Sequence, residues 1–372
     1  MSTLFTGISE LRTVSERGTL NDAAIIAQSG TIAWVGPASE APAADEKVDL
    51  GGRAVLPGWV DSHTHMVFDG DRSAEFEARI SGGSYEAGGI AVTMDATRQA
   101  GTDRLDKLVA DRVAAGRRGG TTTFETKTGY GLNTESEVEA AKVASRHVDD
   151  VTFLGAHLVP PGADAEEYLD EVVGPMLEGV APYVQWIDVF CERGAFNEEQ
   201  SRRVLEAGKK LGLGLRVHGN QLGEGPGVAL AVELGAASVD HVNHLTDEDV
   251  ELLANSDTVA TMLPACDLST REPLAPGRTL LDAGATLAIA SNLNPGTSYT
   301  SSMNYCVTTA VLQQHLSVDE AIHAATTGGA TALRRHNVGN GLDPQGRPAK
   351  GTIVEGAAAD LHVLDAPSAV HL

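Results

Sequence analysis

His63-Thr64-His65 sets two imidazoles two residues apart. On a strand that spacing puts both side chains on one face, and paired neutral ring nitrogens suit a divalent ion such as zinc or iron. His218 closes a later apolar run and is the natural third ligand. His241 follows Asp240 at the end of another run, where an imidazole could orient or deprotonate a water. The plainer readings are a chance His-x-His on a surface turn, a hydrogen-bonded core histidine and a structural histidine, respectively.

Three further features could bind an organic ligand. Arg72, after Gly70-Asp71, is a candidate carboxylate clamp; a surface ion pair with Glu75 or Glu77 is the alternative. Tyr130 sits in the glycine-flanked stretch Lys127-Thr128-Gly129-Tyr130-Gly131 and could stack on, or hydrogen-bond, a planar ring. Asn294-Pro295-Gly296-Thr297 reads as a turn that presents amides to a ligand, or as a purely structural turn. A competing chemistry is a thiol nucleophile at Cys191, but Glu192 beside it would raise the thiol pKa. His244 reads as loop. His147, His315, His323, His336, His362 and His371 fall on helices or in the tail.

These residues need a frame that gathers them. Eight short apolar runs recur along the chain, at Ala54–Val60, Thr121–Glu125, Val151–Gly155, Val184–Phe190, Gly214–Val217, Ala237–Asp240, Thr258–Met262 and Thr286–Ala290. Most are four to seven residues long and rich in β-branched side chains, as strands buried on both faces are. Helix-like segments separate them. Asn197 with Gln200 opens a helix over Glu198–Lys210 that Gly212 ends, and Ser317 with Glu320 opens another before Ala321–Leu333. Repeated strand–helix alternation predicts a (β/α)8 barrel, whose catalytic residues belong at the C-terminal strand ends. His63, His65, His157, His218 and His241 all follow or end such runs, as do Lys127, Gln221, Asn292 and Asn294. A doubly wound sheet is the rival, but no GxGxxG follows an early strand.

Both ends of the chain read differently. Ala24–Pro37 reads as strand, Ser-Gly turn, strand, and Gly351–Asp365 has similar short-strand character. The prediction is a small composite β-sandwich domain from residues 1–56 and 345–372, with the barrel over 57–344.

Composition narrows the function classes. Of 372 residues, 42% are hydrophobic and 21% charged, as in a globular protein with a sizeable core. Acidic residues outnumber basic ones 51 to 27, for a net charge of −24. So acidic a surface repels phosphate, which argues against nucleic acid and anionic membranes as partners. Three unpaired cysteines fit a reducing compartment. With no secretory leader pattern and no long apolar run, the expected location is the cytoplasm.

The sequence resembles the amidohydrolase superfamily through Pro57-Gly58-Trp59-Val60-Asp61-Ser62-His63-Thr64-His65, the strand-end His218 and His241, and the tail Gly351–Asp365. Within it, the chain resembles the imidazolonepropionase family of histidine degradation. That narrower match rests on Val67–Phe76, on Glu125–Leu132, on Phe153-Leu154-Gly155-Ala156-His157 and on Asn294-Pro295-Gly296-Thr297. The resemblance implies a metal-dependent hydrolase that opens the ring of 4-imidazolone-5-propanoate to N-formimidoyl-L-glutamate, with one zinc or iron ion and a homodimeric assembly. It implies His63, His65 and His218 as metal ligands and Arg72 as the clamp for the propionate. It implies Tyr130, His157 and Gln221 as substrate or product contacts, and His241 as the partner of the attacking water. Asn294, Gly296 and Thr297 would hold the formimidoylglutamate end.

One position departs from that pattern. The family carries Asp-x-Asn-Pro-Gly after the eighth strand; here the segment is Ser291-Asn292-Leu293-Asn294-Pro295-Gly296. An aspartate could bind the metal and take a proton, whereas Asn292 offers only a neutral carbonyl oxygen and is no base at neutral pH. Three explanations stand: a natural variant in which His241 takes over proton transfer, an engineered trap for substrate, or a paralogue that binds the ligand without turnover. Another cyclic-amide hydrolase or a deaminase of the superfamily is a further alternative. The chain also stops at Leu372, where relatives continue, so the last edge of the small domain is expected to be incomplete.

Overall fold

The computed structural model describes residues 1–81 and 89–371. Its strands, in chain order, are β1 (Ser2–Arg12), β2 (Thr19–Gln28), β3 (Thr31–Pro37), β4 (Glu46–Pro57), β5 (Trp59–Asp61), β6 (Thr121–Lys127), β7 (Asp150–Ala156), β8 (Trp186–Cys191), β9 (Gly214–Gly219), β10 (Ser238–His241), β11 (Val259–Met262), β12 (Leu287–Ile289) and β13 (Leu361–Val363). Strands β5 to β12 follow one another in a single parallel sheet, with helices in the crossovers. This is the predicted (β/α)8 barrel. Its strands are buried along nearly their whole length, since helices cover one face and the barrel interior fills the other.

The ring closes beyond the ends of β5 and β12. The Asn292 amide donates to the His63 carbonyl at 3.0 Å, and the His65 amide donates to the Leu293 carbonyl at 2.8 Å. The segment that carries the paired histidines is therefore itself the seam of the barrel.

The predicted helix signals act where expected. The Asn197 side chain accepts from the Gln200 amide and the Gln200 side chain accepts from the Asn197 amide, which starts the helix Glu198–Lys210. Gly212 then turns the chain at φ 80°, in the left-handed region that glycine adopts without a steric penalty. Gly208 on that helix packs so close to β8 that a Cβ would lie 2.3 Å from Ile187 Cγ2. Ser317 and Glu320 form a second capping box, and the chain is helical from Val318 to Ala332 with a widened turn at Ala324–Gly328.

One element differs from expectation. The run Ala54–Val60, predicted as the first barrel strand, belongs to two strands in two sheets. Its first half ends β4 and its second half begins β5. The break falls at Gly58, where a side chain would drive a Cβ to 2.1 Å from Thr122 Oγ1. An apolar pattern has no term for a change of sheet, so the two strands read as one.

The second sheet has the order β13-β4-β1-β2-β3 and draws on both ends of the chain. β1 pairs parallel to β4, and the other neighbours are antiparallel. Ile8, Leu11, Ile25, Ile32, Val35, Val55 and Ile353 form its core. Residues near the C-terminus bridge onto it through the Ile32 amide to the Ala357 carbonyl and the Ile353 amide to the Thr13 carbonyl, each at 2.8 Å.

Candidate active site

Three imidazoles meet at the barrel mouth. His63 Nε2 lies 3.2 Å from His65 Nε2, and His218 Nε2 lies 3.5 Å from the same atom. All three residues are buried. Burial, which penalises the charged form, holds His63 and His65 well below the ordinary histidine range, so they are neutral donors at physiological pH.

The far nitrogens are tied down from below. His63 Nδ1 faces Asp240 Oδ2 at 2.7 Å, and His218 Nδ1 faces Asp188 Oδ2 at 3.0 Å. A carboxylate only accepts, so the His63 ring carries its proton on Nδ1 and keeps the Nε2 lone pair toward the mouth, while His218 meets Asp188 as a close polar contact. Lys127 Nζ sits between the carboxylates, 2.9 Å from Asp188, 3.1 Å from Glu125 and 3.7 Å from Asp240. Arg216 Nη2 adds a contact to Asp240 at 3.1 Å. Every charged side chain in this network is fully buried. Burial is the largest single influence on both carboxylates and raises them, but the combined pull of His218 and Lys127 on Asp188, and of Arg216, His63 and Lys127 on Asp240, holds each below the ordinary carboxylate range.

Above the imidazoles lies a cleft lined by every predicted site residue except His63 and Gly296. His63 lies beneath it, and Gly296 backs onto the Arg72 guanidinium so tightly that a Cβ would sit 2.4 Å from Nη1. Tyr130 and His157 form one wall, with ring centroids 5.4 Å apart. His157 Nδ1 donates to the Gly129 carbonyl at 2.8 Å, and burial takes its pKa down to about 4, so the ring is neutral. The Tyr130 loop is cinched by Glu137, whose carboxylate accepts from the amides of Gly129 at 2.8 Å, Gly131 at 2.7 Å and Leu132 at 2.9 Å. Gly129 itself adopts φ 108°, and a Cβ there would meet the Leu154 carbonyl at 2.6 Å.

On the opposite wall, Arg72 reaches Glu75 through both Nε, at 2.8 Å, and Nη2, at 2.7 Å. The anticipated ion pair thus forms at a residue that also lines the cleft. The Asn294 turn is knit internally. Asn294 Oδ1 accepts from the amides of Gly296 at 2.8 Å and Thr297 at 2.7 Å, and its Nδ2 donates to the Asn292 carbonyl at 2.7 Å. Asn292 adopts φ 51°, and its Oδ1 is buried without a hydrogen-bond partner, as is His241 Nδ1. Gln221 is held through its amide, which donates to Glu192 Oε1 at 2.5 Å. Cys191 lies outside the cleft, and burial raises its thiol above the usual range, which leaves the thiol-nucleophile reading without support.

The chain is 64% identical to an imidazolonepropionase of Arthrobacter sp. (strain FB24) over 383 residues, covering 100% of this chain and 95% of that one. The chain belongs to the imidazolonepropionase family. An imidazolonepropionase of Streptomyces coelicolor is 51% identical, over 100% of this chain and 94% of its own length. No protein-family model matches. Among solved structures, a triazine hydrolase from Arthrobacter aurescens superposes with a TM-score of 0.72 at 19% identity, covering 99% of this chain and 88% of that one. An adenosine deaminase from Xanthomonas campestris with bound zinc gives 0.69 at 20% identity, covering 98% and 84%. At these identities the structural likeness speaks for the barrel fold alone.

Within an imidazolonepropionase frame, the sequence pattern located the mouth but not its foundations. Asp188, Arg216 and Glu137 lie inside strands or a helix and carry no motif of their own, and Glu125 was visible only as the first residue of the Glu125–Leu132 stretch. Lys127 and Asp240 were visible only as neighbours of better signals. A charged residue in an otherwise apolar strand is the one available cue, because such a residue is buried only when paired.

Proposed function

We propose that this chain is a metal-dependent hydrolase that opens the ring of 4-imidazolone-5-propanoate to N-formimidoyl-L-glutamate in histidine degradation. The observation that carries the reading is the convergence of the His63, His65 and His218 Nε2 atoms beneath a cleft that Arg72, Tyr130 and His157 line. Membership of the family supplies the substrate.

The donor set fits a divalent ion. Three imidazole nitrogens lie within 4.8 Å of one another, and the buried, unpartnered Oδ1 of Asn292 is a further oxygen donor at the same cleft. His63, His65, His218 and Asn292 would hold the ion, zinc or iron. When bound, such an ion polarises the ring carbonyl and lowers the pKa of water.

The chain's own residues supply the rest. Arg72 binds the propionate carboxylate. Tyr130 and His157 orient the planar ring, and Gln221 contacts it from across the cleft. Asn294, Gly296 and Thr297 contact the opened product through the turn they form. Net reaction adds one water across the ring C–N bond, so one proton must leave the water oxygen and one must reach the departing nitrogen. Asn292 cannot carry that proton; His241, neutral because burial holds its pKa well below the histidine range, takes it at a ring nitrogen and returns it.

The same reading divides the chain into a composite β domain (residues 1–56 and 345–372) and the barrel (57–344), acting as a cytoplasmic homodimer. No helix among the described residues is long and apolar enough to cross a membrane. The test is loss of imidazolonepropionate absorbance by the metal-loaded protein beside Asn292→Asp. Turnover by both supports His241 as proton carrier. Turnover by Asn292→Asp alone makes this chain a binding form, and turnover by neither removes the substrate assignment.

A further inference from the structure

The geometry points to Lys127 as a positioning residue for the metal centre, holding Asp188 and Asp240 where they orient the two histidines whose rings they face. The inference rests on the metal reading above.

Four observations carry it. Lys127 Nζ lies within 2.9 Å of Asp188 and 3.7 Å of Asp240. Those carboxylates approach His218 Nδ1 and His63 Nδ1, the nitrogens remote from the cleft. All of these side chains are nearly or fully buried, so no water substitutes for a missing partner. And the chain places Lys127 by covalent and backbone means: its amide donates to the Thr64 carbonyl, between the paired histidines, at 2.8 Å. Lys127 thus spans the seam residue Thr64, β8 through Asp188 and β10 through Asp240.

Charge balance gives the arrangement a purpose. The network holds two cations, Lys127 and Arg216, against three carboxylates, Glu125, Asp188 and Asp240. One negative charge is left over beneath the three imidazoles, which favours a cation above them. Without Lys127 a second negative charge would stand unbalanced in the interior. Asp188 would then be free to turn from His218, and the ring would lose the carboxylate that faces it.

The test uses the full chain loaded with cobalt(II) in place of the native ion. Chelator competition measures affinity, and the visible cobalt spectrum reports ligand geometry, independently of turnover. Lys127→Met is expected to weaken cobalt binding by about ten- to a hundred-fold and to change the visible spectrum. If Lys127→Met does not fold, the Glu125→Gln/Lys127→Met double variant, which removes one cation and one anion together, carries the same expectation. Unchanged affinity and spectrum in the folded variant overturn the inference and leave the metal reading standing. A parent protein that takes up no cobalt overturns both.

Discussion

The barrel mouth and the terminal sheet solve opposite problems. The mouth buries Lys127, Arg216, Glu125, Asp188 and Asp240 and bends its backbone into positive φ at Leu132, Asn220, His241, Val242 and Asn292. Each such feature costs free energy that partners must offset. The terminal sheet buries Ile8, Leu11, Ile25, Ile32 and Val55 and needs little beyond a ladder of backbone hydrogen bonds. The mouth is built for chemistry and is supported from outside itself. The sheet is built for stability, and none of its residues is among the described residues that line the cleft. If that division is right, damage to one should leave the function of the other measurable.

The largest effect is expected at the ligands. His218→Ala should cut turnover by more than about a thousand-fold, the scale on which losing a metal's polarisation falls, while the thermal midpoint of the metal-free protein changes little. Steady-state kinetics and calorimetry on the same preparation check both halves. A variant that retained full rate would remove His218 from the ligand set.

Ile25→Ala should do the reverse. Ile25 is fully buried in the terminal sheet, and the lost transfer energy and residual cavity should destabilise the protein by about 2–5 kcal/mol. The kcat/KM of the folded fraction should stay at the parent's value. A marked fall in kcat/KM at a temperature where the protein is folded would show that the sheet shapes the cleft.

Acid should act on the mouth first. Burial lowers His157 from the ordinary 6.5 to about 4, so the unfolded chain binds its proton more readily throughout that window. Stability from this group is present above pH 6.5, is lost as the pH falls toward 4, and amounts to about 3 kcal/mol across the window. Urea unfolding of the metal-free protein at neutral pH and near pH 4 should show a smaller difference for His157→Gln than for the parent. An equal difference would place the acid sensitivity elsewhere.

The smallest effect concerns fine positioning. Gly296→Ala would put a Cβ within 2.4 Å of Arg72 Nη1, so the guanidinium must shift. The expected result is a rise in KM of about ten-fold with kcat nearly unchanged, as for loss of uniform binding. A fall in kcat at constant KM would move Arg72 from substrate binding to the reaction itself.

Much of the mouth was legible because barrel topology gives sequence position a meaning. A histidine at the end of an apolar run points to the mouth whichever strand bears it, and His63, His65, His218 and His241 do converge there. Helix starts were legible for a similarly local reason, since Asn197 and Ser317 act on amides three residues away. The change of sheet at Gly58 was not, because β4 and β5 are chemically alike and only their partners differ. The Asn294 turn was open to two readings, a donor of amides to a ligand or a purely structural turn, and the amides of Gly296 and Thr297 donate to the Asn294 side chain. At Arg72 the ion pair with Glu75 forms on a residue that also lines the cleft.

By itself the sequence determined the barrel, the five histidines at its strand ends, the family, and the replacement of a carboxylate by Asn292. Those depend on periodicity, local capping and residue identity, which are written along the chain. Only the tertiary structure decided that Lys127 faces Asp188 and Asp240, that Glu137 cinches the Tyr130 loop, and that β5 meets β12 through the backbone of the histidine segment. Buried charges find partners across strands far apart in sequence, and no local pattern records which carboxylate a lysine will meet.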